Sequence, residues 1–207
     1  MYFHKTPFLL KWLYPGFWWS RASQEKIIYL TFDDGPIPEV TEWVLETLGK
    51  FGAKATFFCV GDNVRKNPEV FQKLLAQGHG LGNHTFNHLN GWQVETNQYL
   101  ENILQCHEEM RITGDKLLFR PPYGRIKRDQ VRLVQQAYQI VMWDVLTGDF
   151  DAKLLPTDCL KKAIQHTRKG SIIIFHDSLK AEKNLRYALP RYLEHFTRLG
   201  YRFETLQ

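Results

Sequence analysis

Long apolar runs are missing from these 207 residues. No stretch approaches the roughly 18 consecutive apolar side chains of a membrane-crossing helix. The aromatic stretch over 8–19 is broken by Lys11 and by Pro15-Gly16, and no small-residue cleavage site follows it, so it does not read as a signal peptide. A cytoplasmic or membrane-peripheral location is expected. Cysteine is scarce: Cys59, Cys106 and Cys159 are odd in number, far apart and free of C-x-x-C spacing, which argues against a disulfide framework or a thiolate zinc cluster. Internal repeats, low-complexity tracts and Ser/Pro-rich linkers are absent too, so one domain is expected. Charge is not concentrated either. Lys and Arg number 27 against 22 acids, and of the net +5 a share of +3 lies in the first 26 residues, in Lys5, Lys11, Arg21 and Lys26 against Glu25. The nearly neutral remainder excludes a basic stripe, and no nucleic-acid partner is expected.

What is there is a globular composition, 43% hydrophobic and 24% charged, enough for a sizeable core. From Lys26 onward, short β-branched or aromatic runs alternate with longer segments of helical period, the pattern of βα units around a parallel sheet. The runs predict seven strands, over 27–32, 55–60, 80–83, 117–120, 140–145, 171–175 and 201–205. Helices are expected over 39–51, 68–77, 93–112, 127–138, 157–168 and 182–199, with Pro190 kinking or splitting the last. Periodicity alone leaves two architectures, an open doubly wound sheet or a closed, distorted barrel. In both, functional side chains gather at the C-terminal ends of the strands.

Unusual polar residues occupy those ends. Asp33-Asp34-Gly35-Pro36 ends the first strand, and two adjacent carboxylates repel unless a cation compensates them. His84 and His88 follow the third strand at a spacing that sets both on one face of a helical turn, within reach of one divalent ion. With a carboxylate from another strand end they make a three-ligand site with an open position, which suits hydrolysis. Arg120-Pro121-Pro122-Tyr123-Gly124 follows the fourth strand, its guanidinium able to pair with Asp33. Trp143-Asp144 through Asp149-Phe150 closes the fifth, and Ile174-Phe175-His176-Asp177 ends the sixth, where an aspartate partner would hold the histidine charged and oriented.

This ordered set resembles the polysaccharide deacetylases of the NodB homology type, carbohydrate esterase family 4, over about residues 26–206. The resemblance implies a single-domain α/β fold, a distorted (β/α)7-type barrel. It implies one divalent metal, zinc first with cobalt, nickel or manganese as alternatives, held by Asp34, His84 and His88. Asp33 matches the general base, Arg120 the residue tethering it, and His176 the general acid tuned by Asp149. Tyr123 matches the residue whose backbone N–H helps bind the oxyanion. Pro121, Phe150 and Ile174 match the substrate pocket, and the last two depart from the family, which often has Trp and Leu there. A changed pocket around the acetyl methyl is expected from those departures, with catalysis kept.

The implied activity is removal of N-acetyl groups from amino sugars of a poly- or oligosaccharide, with an N-acetylated saccharide as partner and a monomer expected. A deacylase of a lipid-linked sugar and a non-catalytic sugar-binding homologue are the alternatives. An iron oxygenase also uses two histidines and a carboxylate, but leaves Asp33, Arg120 and His176 without a purpose. Trp92 and Tyr123 are candidates for stacking on sugar faces. Residues 1–25 form an aromatic-rich segment ahead of the domain over 26–207. A lid packed on the barrel is preferred for it over a membrane-interface segment.

Overall fold

The computed structural model of the protein describes residues 2–114 and 117–206. In chain order the elements are α1 (Phe8–Leu13), β1 (Ile27–Asp33), α2 (Val40–Lys50), β2 (Ala55–Cys59), α3 (Gly61–Lys66), α4 (Pro68–Ala76), β3 (Gly80–Asn83) and α5 (Thr96–Met110). There follow β4 (Leu117–Phe119), α6 (Arg128–Val134), β5 (Tyr138–Ile140), β6 (Val145–Leu146), α7 (Pro156–His166), β7 (Ile172–His176), α8 (Glu182–Arg198) and β8 (Arg202–Phe203). The strands form one curled sheet in the order β5-β4-β3-β2-β1-β7-β6, with β8 against the start of β1. Every strand pairing is parallel, so all strand C-termini open on one end of a distorted (β/α) barrel.

Side-chain alternation divides the molecule. On β1, Ile28, Leu30 and Phe32 join the core between sheet and helices, with Phe57 of β2 and Ile173 and Phe175 of β7. The intervening positions face inward, where Phe58, Leu118, Val141, Ile172 and Leu206 form a small barrel core. The same period therefore aims Thr31, Asp33, Arg120 and His176 into the barrel. A Cβ at Gly82 would stand 2.3 Å from the Phe58 ring, so only glycine gives that ring its space.

Three expectations need correction. The single strand expected over 140–145 is two, β5 and β6, and the helix expected to run to 138 stops at Val134 because Tyr138 and Ile140 pair with Leu117 and Phe119. Pro190 does not split α8, which runs unbroken from Glu182 to Arg198.

Stretches of residues 2–20 take part in the sheet. Residues around Trp18 run parallel to the extension of β5, with Trp18 N–H donating to Ile140 O and Met142 N–H to Trp18 O. Lys5 bridges Val145 antiparallel, with Thr6 N–H donating to Asp144 O and Leu146 N–H to His4 O. Both contacts lie where β5 and β6 part, so the segment fills the seam of the barrel. Phe17 and Trp19 are buried against α5, α6 and β5.

Candidate active site

Backbone strain marks the mouth of the barrel. Six non-glycine residues have positive φ among the described residues, and four are site candidates or their neighbours: Asp34 (85°), Thr85 (62°), His88 (55°) and Tyr123 (59°). Such conformations persist where surrounding bonds over-determine them. Asn63, on α3, donates to Asp34 O at 2.7 Å. Asn83 Oδ1 accepts from Thr85 N–H, and Asn102 Oδ1 accepts from Phe86 and Asn87 N–H. This stitching explains a further correction: residues 84–88 form an irregular loop and not the helical turn that the spacing of four suggests.

The loop nevertheless brings the histidines together, with ring centroids 5.0 Å apart. His88 Nε2 lies 3.2 Å and His84 Nε2 3.9 Å from Asp34 Oδ1. One ligand atom from each of Asp34, His84 and His88 lies within 4.8 Å of the others. Each ring is held from behind. His84 Nδ1 is 2.7 Å from Arg120 O, so it carries the proton and leaves the Nε2 lone pair facing the carboxylate. His88 Nδ1 shares a hydrogen bond with the Tyr123 hydroxyl. Burial pushes the His84 imidazole down to about 4, keeping it neutral at ordinary pH. Burial pushes the Asp34 carboxyl up, but the hydrogen bond from His88 and the nearby imidazoles outweigh it and hold it ionised. An anionic carboxylate and two imidazoles whose Nε2 atoms converge on it fit a divalent ion of zinc type.

Arg120 is wholly buried and lies across the barrel interior. It donates to Asp33 Oδ1 at 2.6 Å, to Thr31 Oγ1, and to the carbonyls of Val141 and Met142, with its guanidinium 4.0 Å above the Phe58 ring. Asp33 Oδ2 is turned the other way, 3.9 Å from His84 Nε2. Asp33 and His176 are register partners on adjacent strands. His176 Nδ1 bonds Asp149 Oδ1 at 2.8 Å, and its backbone N–H donates to Asp149 Oδ2. Burial alone would lower the His176 pKa, but the Asp149 carboxylate overrides it and raises it to about 9. Phe150 packs edge-on to the His176 ring at 5.1 Å, Ile174 lies buried two positions below His176 on the same face of β7, and Pro121 is buried beside Arg120. All eleven expected positions thus lie at the strand C-termini, on the face where the motifs put them. Trp92 and Tyr123 are largely exposed. A groove of about 480 Å³ runs from His88 and Tyr123 to Asn90, Gln93 and Arg125.

Some supporting residues escape a reading of the sequence. Asp177 is fully buried, accepts from Gly35 N–H and Thr41 Oγ1, and so fastens the Asp33-Asp34 turn to the end of β7. A Cβ at Gly35 would stand 1.9 Å from Asp177 Oδ2, which requires glycine there. The one sequence signal for Asp177 is its position next to His176. Asn184, on α8, donates to the carbonyls of Asp149 and Asp151 across more than thirty residues, and nothing local announces it. Asp144, part of the motif at the end of the fifth expected strand, lies away from the site and binds Lys5, Lys11 and Ser171.

A family model described as polysaccharide deacetylase matches residues 20–142. Peptidoglycan-N-acetylglucosamine deacetylase of Bacillus cereus is 34% identical over 192 residues, covering 91% of this chain and 90% of that protein. Chitooligosaccharide deacetylase of Azorhizobium caulinodans is 35% identical over 165 residues, 76% and 77% of the two chains. A solved peptidoglycan N-acetylglucosamine deacetylase, in complex with an N-oxidanyl-benzamide, superposes with a TM-score of 0.87 at 30% identity over 97% of this chain and 95% of that one. So high a share takes the likeness into the seam-filling segment as well. The strand-end motifs, their convergence at the barrel mouth and similarity along nearly the whole length agree: the chain belongs to the polysaccharide deacetylase family.

Proposed function

We propose that this protein is a metal-dependent hydrolase that removes N-acetyl groups from amino sugars of a poly- or oligosaccharide. The observation that carries the reading is the pairing of a tethered carboxylate with an oriented, cationic imidazole on adjacent strands, next to an Asp-His-His donor set. Asp34, His84 and His88 would hold the ion, zinc first. When bound, it would supply a Lewis acid for the acetyl carbonyl and a water of lowered pKa.

The rest falls to the chain. Arg120 holds one oxygen of Asp33, so the other is fixed in place to take a proton from the attacking water. His176, kept protonated by Asp149, donates to the departing amine nitrogen from the ring nitrogen that Asp149 does not use. The Tyr123 backbone N–H is assigned to the developing oxyanion, and its hydroxyl steadies His88. Phe150, Ile174 and Pro121 are assigned to the apolar wall around the acetyl methyl. The groove lined by Tyr123 and Arg125 is assigned to neighbouring sugar units. The relatives named above act on peptidoglycan N-acetylglucosamine and on chitooligosaccharides, which supports an N-acetylhexosamine polymer or oligomer as substrate class.

Free-amine release from a panel of N-acetylhexosamine oligomers by zinc-loaded protein, with Asp33→Asn as matched blank, tests the reading. Release by wild type alone is expected. Silence across the panel with zinc bound would overturn the soluble-oligosaccharide assignment.

A further inference from the structure

A helix on a water-facing surface turns its apolar stripe inward and its charges outward. The helix α1, Phe-Leu-Leu-Lys-Trp-Leu, does the reverse. Its one charged side chain, Lys11, points inward to the buried carboxylate of Asp144, which Lys5 also binds at 2.6 Å. Its apolar side chains point out: Phe8 is 80% exposed, Trp12 66%, Leu9 61% and Leu13 52%, and the helix buries none of its residues. Tyr14, next to Leu13, extends the patch, and Phe3 is exposed as well.

Six residues are too few for a helix to hold itself in water. This one is held at its flanks. The Lys11–Asp144 pair pins it, Trp19 Nε1–H donates to Tyr14 O, and Tyr14 stacks on buried Phe17. The result is a rigid platform of aromatic and aliphatic side chains, built at the cost of an exposed apolar patch. Its border is cationic. Leu13 and Tyr14 share a cavity of about 320 Å³ with Arg128, Val131 and Arg132 of α6, and no carboxylate lines it. Arg128 and Arg132 are exposed and have no ion-pair partner among the described residues, while Asp129, the only acid of α6, accepts from Thr96.

We infer that α1 and the adjoining face of α6 form a docking surface for an anionic lipid bilayer. Phe8, Leu9, Trp12 and Leu13 enter the headgroup–acyl boundary, and Arg128 and Arg132 meet anionic headgroups. Trp and Tyr suit that boundary because one edge of each ring is apolar and the other polar. Within the N-terminal segment Phe17 and Trp19 pack on the barrel, and the helix before them faces outward. The surface is also tied to the mouth. Tyr2 packs 5.3 Å from Phe150 beside His176, and Phe8 lies only six positions after Tyr2, a span of at most about 20 Å. A bilayer-seated enzyme would therefore meet saccharides held at the membrane surface.

Co-sedimentation of the full chain with vesicles tests this without any turnover, so it stands apart from the deacetylase reading. Phosphatidylcholine vesicles containing about one quarter phosphatidylglycerol should pellet the protein, and pure phosphatidylcholine should pellet several-fold less. Phe8→Ser combined with Trp12→Ser should lower binding at least about tenfold. Arg128→Glu combined with Arg132→Glu, remote from the core, should remove the preference for anionic vesicles. Thermal melts matching wild type establish that the variants are folded. Failure of the wild type to pellet, or pelleting indifferent to both variants, overturns the proposal. So does a dimer in light scattering that the Phe8/Trp12 variant disperses without vesicle binding, which would assign the patch to a second copy of this chain.

Discussion

Two buried aspartates make an instructive pair. Asp33, at the mouth, and Asp144, at the seam, are 4% and 3% exposed, and each is neutralised by a cation from a distant stretch of chain. They differ in what is left over. Both oxygens of Asp144 are taken, one by Lys11 and the other by Lys5 and Ser171. Asp33 gives one oxygen to Arg120 and keeps the second directed at His84. A carboxylate with both oxygens engaged is a fastener, and one with an oxygen kept open beside metal-type donors has capacity for proton transfer. Burial and charge pairing alone do not tell the two apart.

The sharpest way to break this contrast is a matched pair of substitutions. Asp33→Asn is expected to lower kcat by about 1,000-fold or more while bound metal, measured by elemental analysis, stays at wild-type level. Asp144→Asn should leave kcat on a soluble oligosaccharide within about tenfold of wild type but cost about 3 kcal/mol of stability, a drop in Tm of roughly 6–12 °C. Equal loss of turnover in both would erase the distinction. Burial opposes ionisation of Asp144, but its lysine partners prevail and lower its pKa. Its stabilising contribution is therefore present above the ordinary carboxylate range and disappears as pH falls through and below about 4. The Tm gap between wild type and Asp144→Asn should close on acidification in step.

The metal-type donors give the next effect. His84→Ala should weaken zinc binding, read by calorimetry, by more than the roughly 100-fold that loss of an outer supporting group costs. Retained affinity would remove His84 from the donor set. A smaller effect sharpens the acid side. The pKa of His176 is raised to about 9 in the folded chain, so its charged form, and the stability that goes with it, is complete below the unfolded value near 6.5 and is lost as pH rises through 9. Turnover should fall along the same alkaline limb, and Asp149→Asn should move that limb to lower pH. The least effect is expected at the wall: Phe150→Trp should shift KM by less than about tenfold and leave the melting temperature unchanged.

The mouth is legible in the sequence and the seam is not. Strand-end motifs are local: each of the five lies within a few residues, next to a run whose apolar alternation announces a strand, and the family resemblance that their order carries is what names all eleven candidate positions. The seam depends on pairings across more than a hundred residues, Lys5 with Val145 and Trp18 with Val141, which leave no periodicity in either partner. The helices α1 and α3 have six residues each, too short to show an amphipathic repeat. β5 and β6 have three and two residues and read as one strand for the same reason. Asp177 and Asn184 act by fixing loops, a task that a buried carboxylate or amide performs without any spacing rule.

The seam also decides where this protein can be cut. The motif-bearing region begins near Lys26, and a chain shortened to that point would still carry each acid, base and metal-type donor named above. It would lose the strand-like stretches that hydrogen-bond to residues 140–146, unpair Asp144, and uncover Ile140, Val141 and Met142. Val141 and Met142 are the residues whose carbonyls hold Arg120, and Arg120 in turn holds Asp33. The first twenty residues are therefore a remote support of the proposed base: trimming them would slacken a proton acceptor that they never touch.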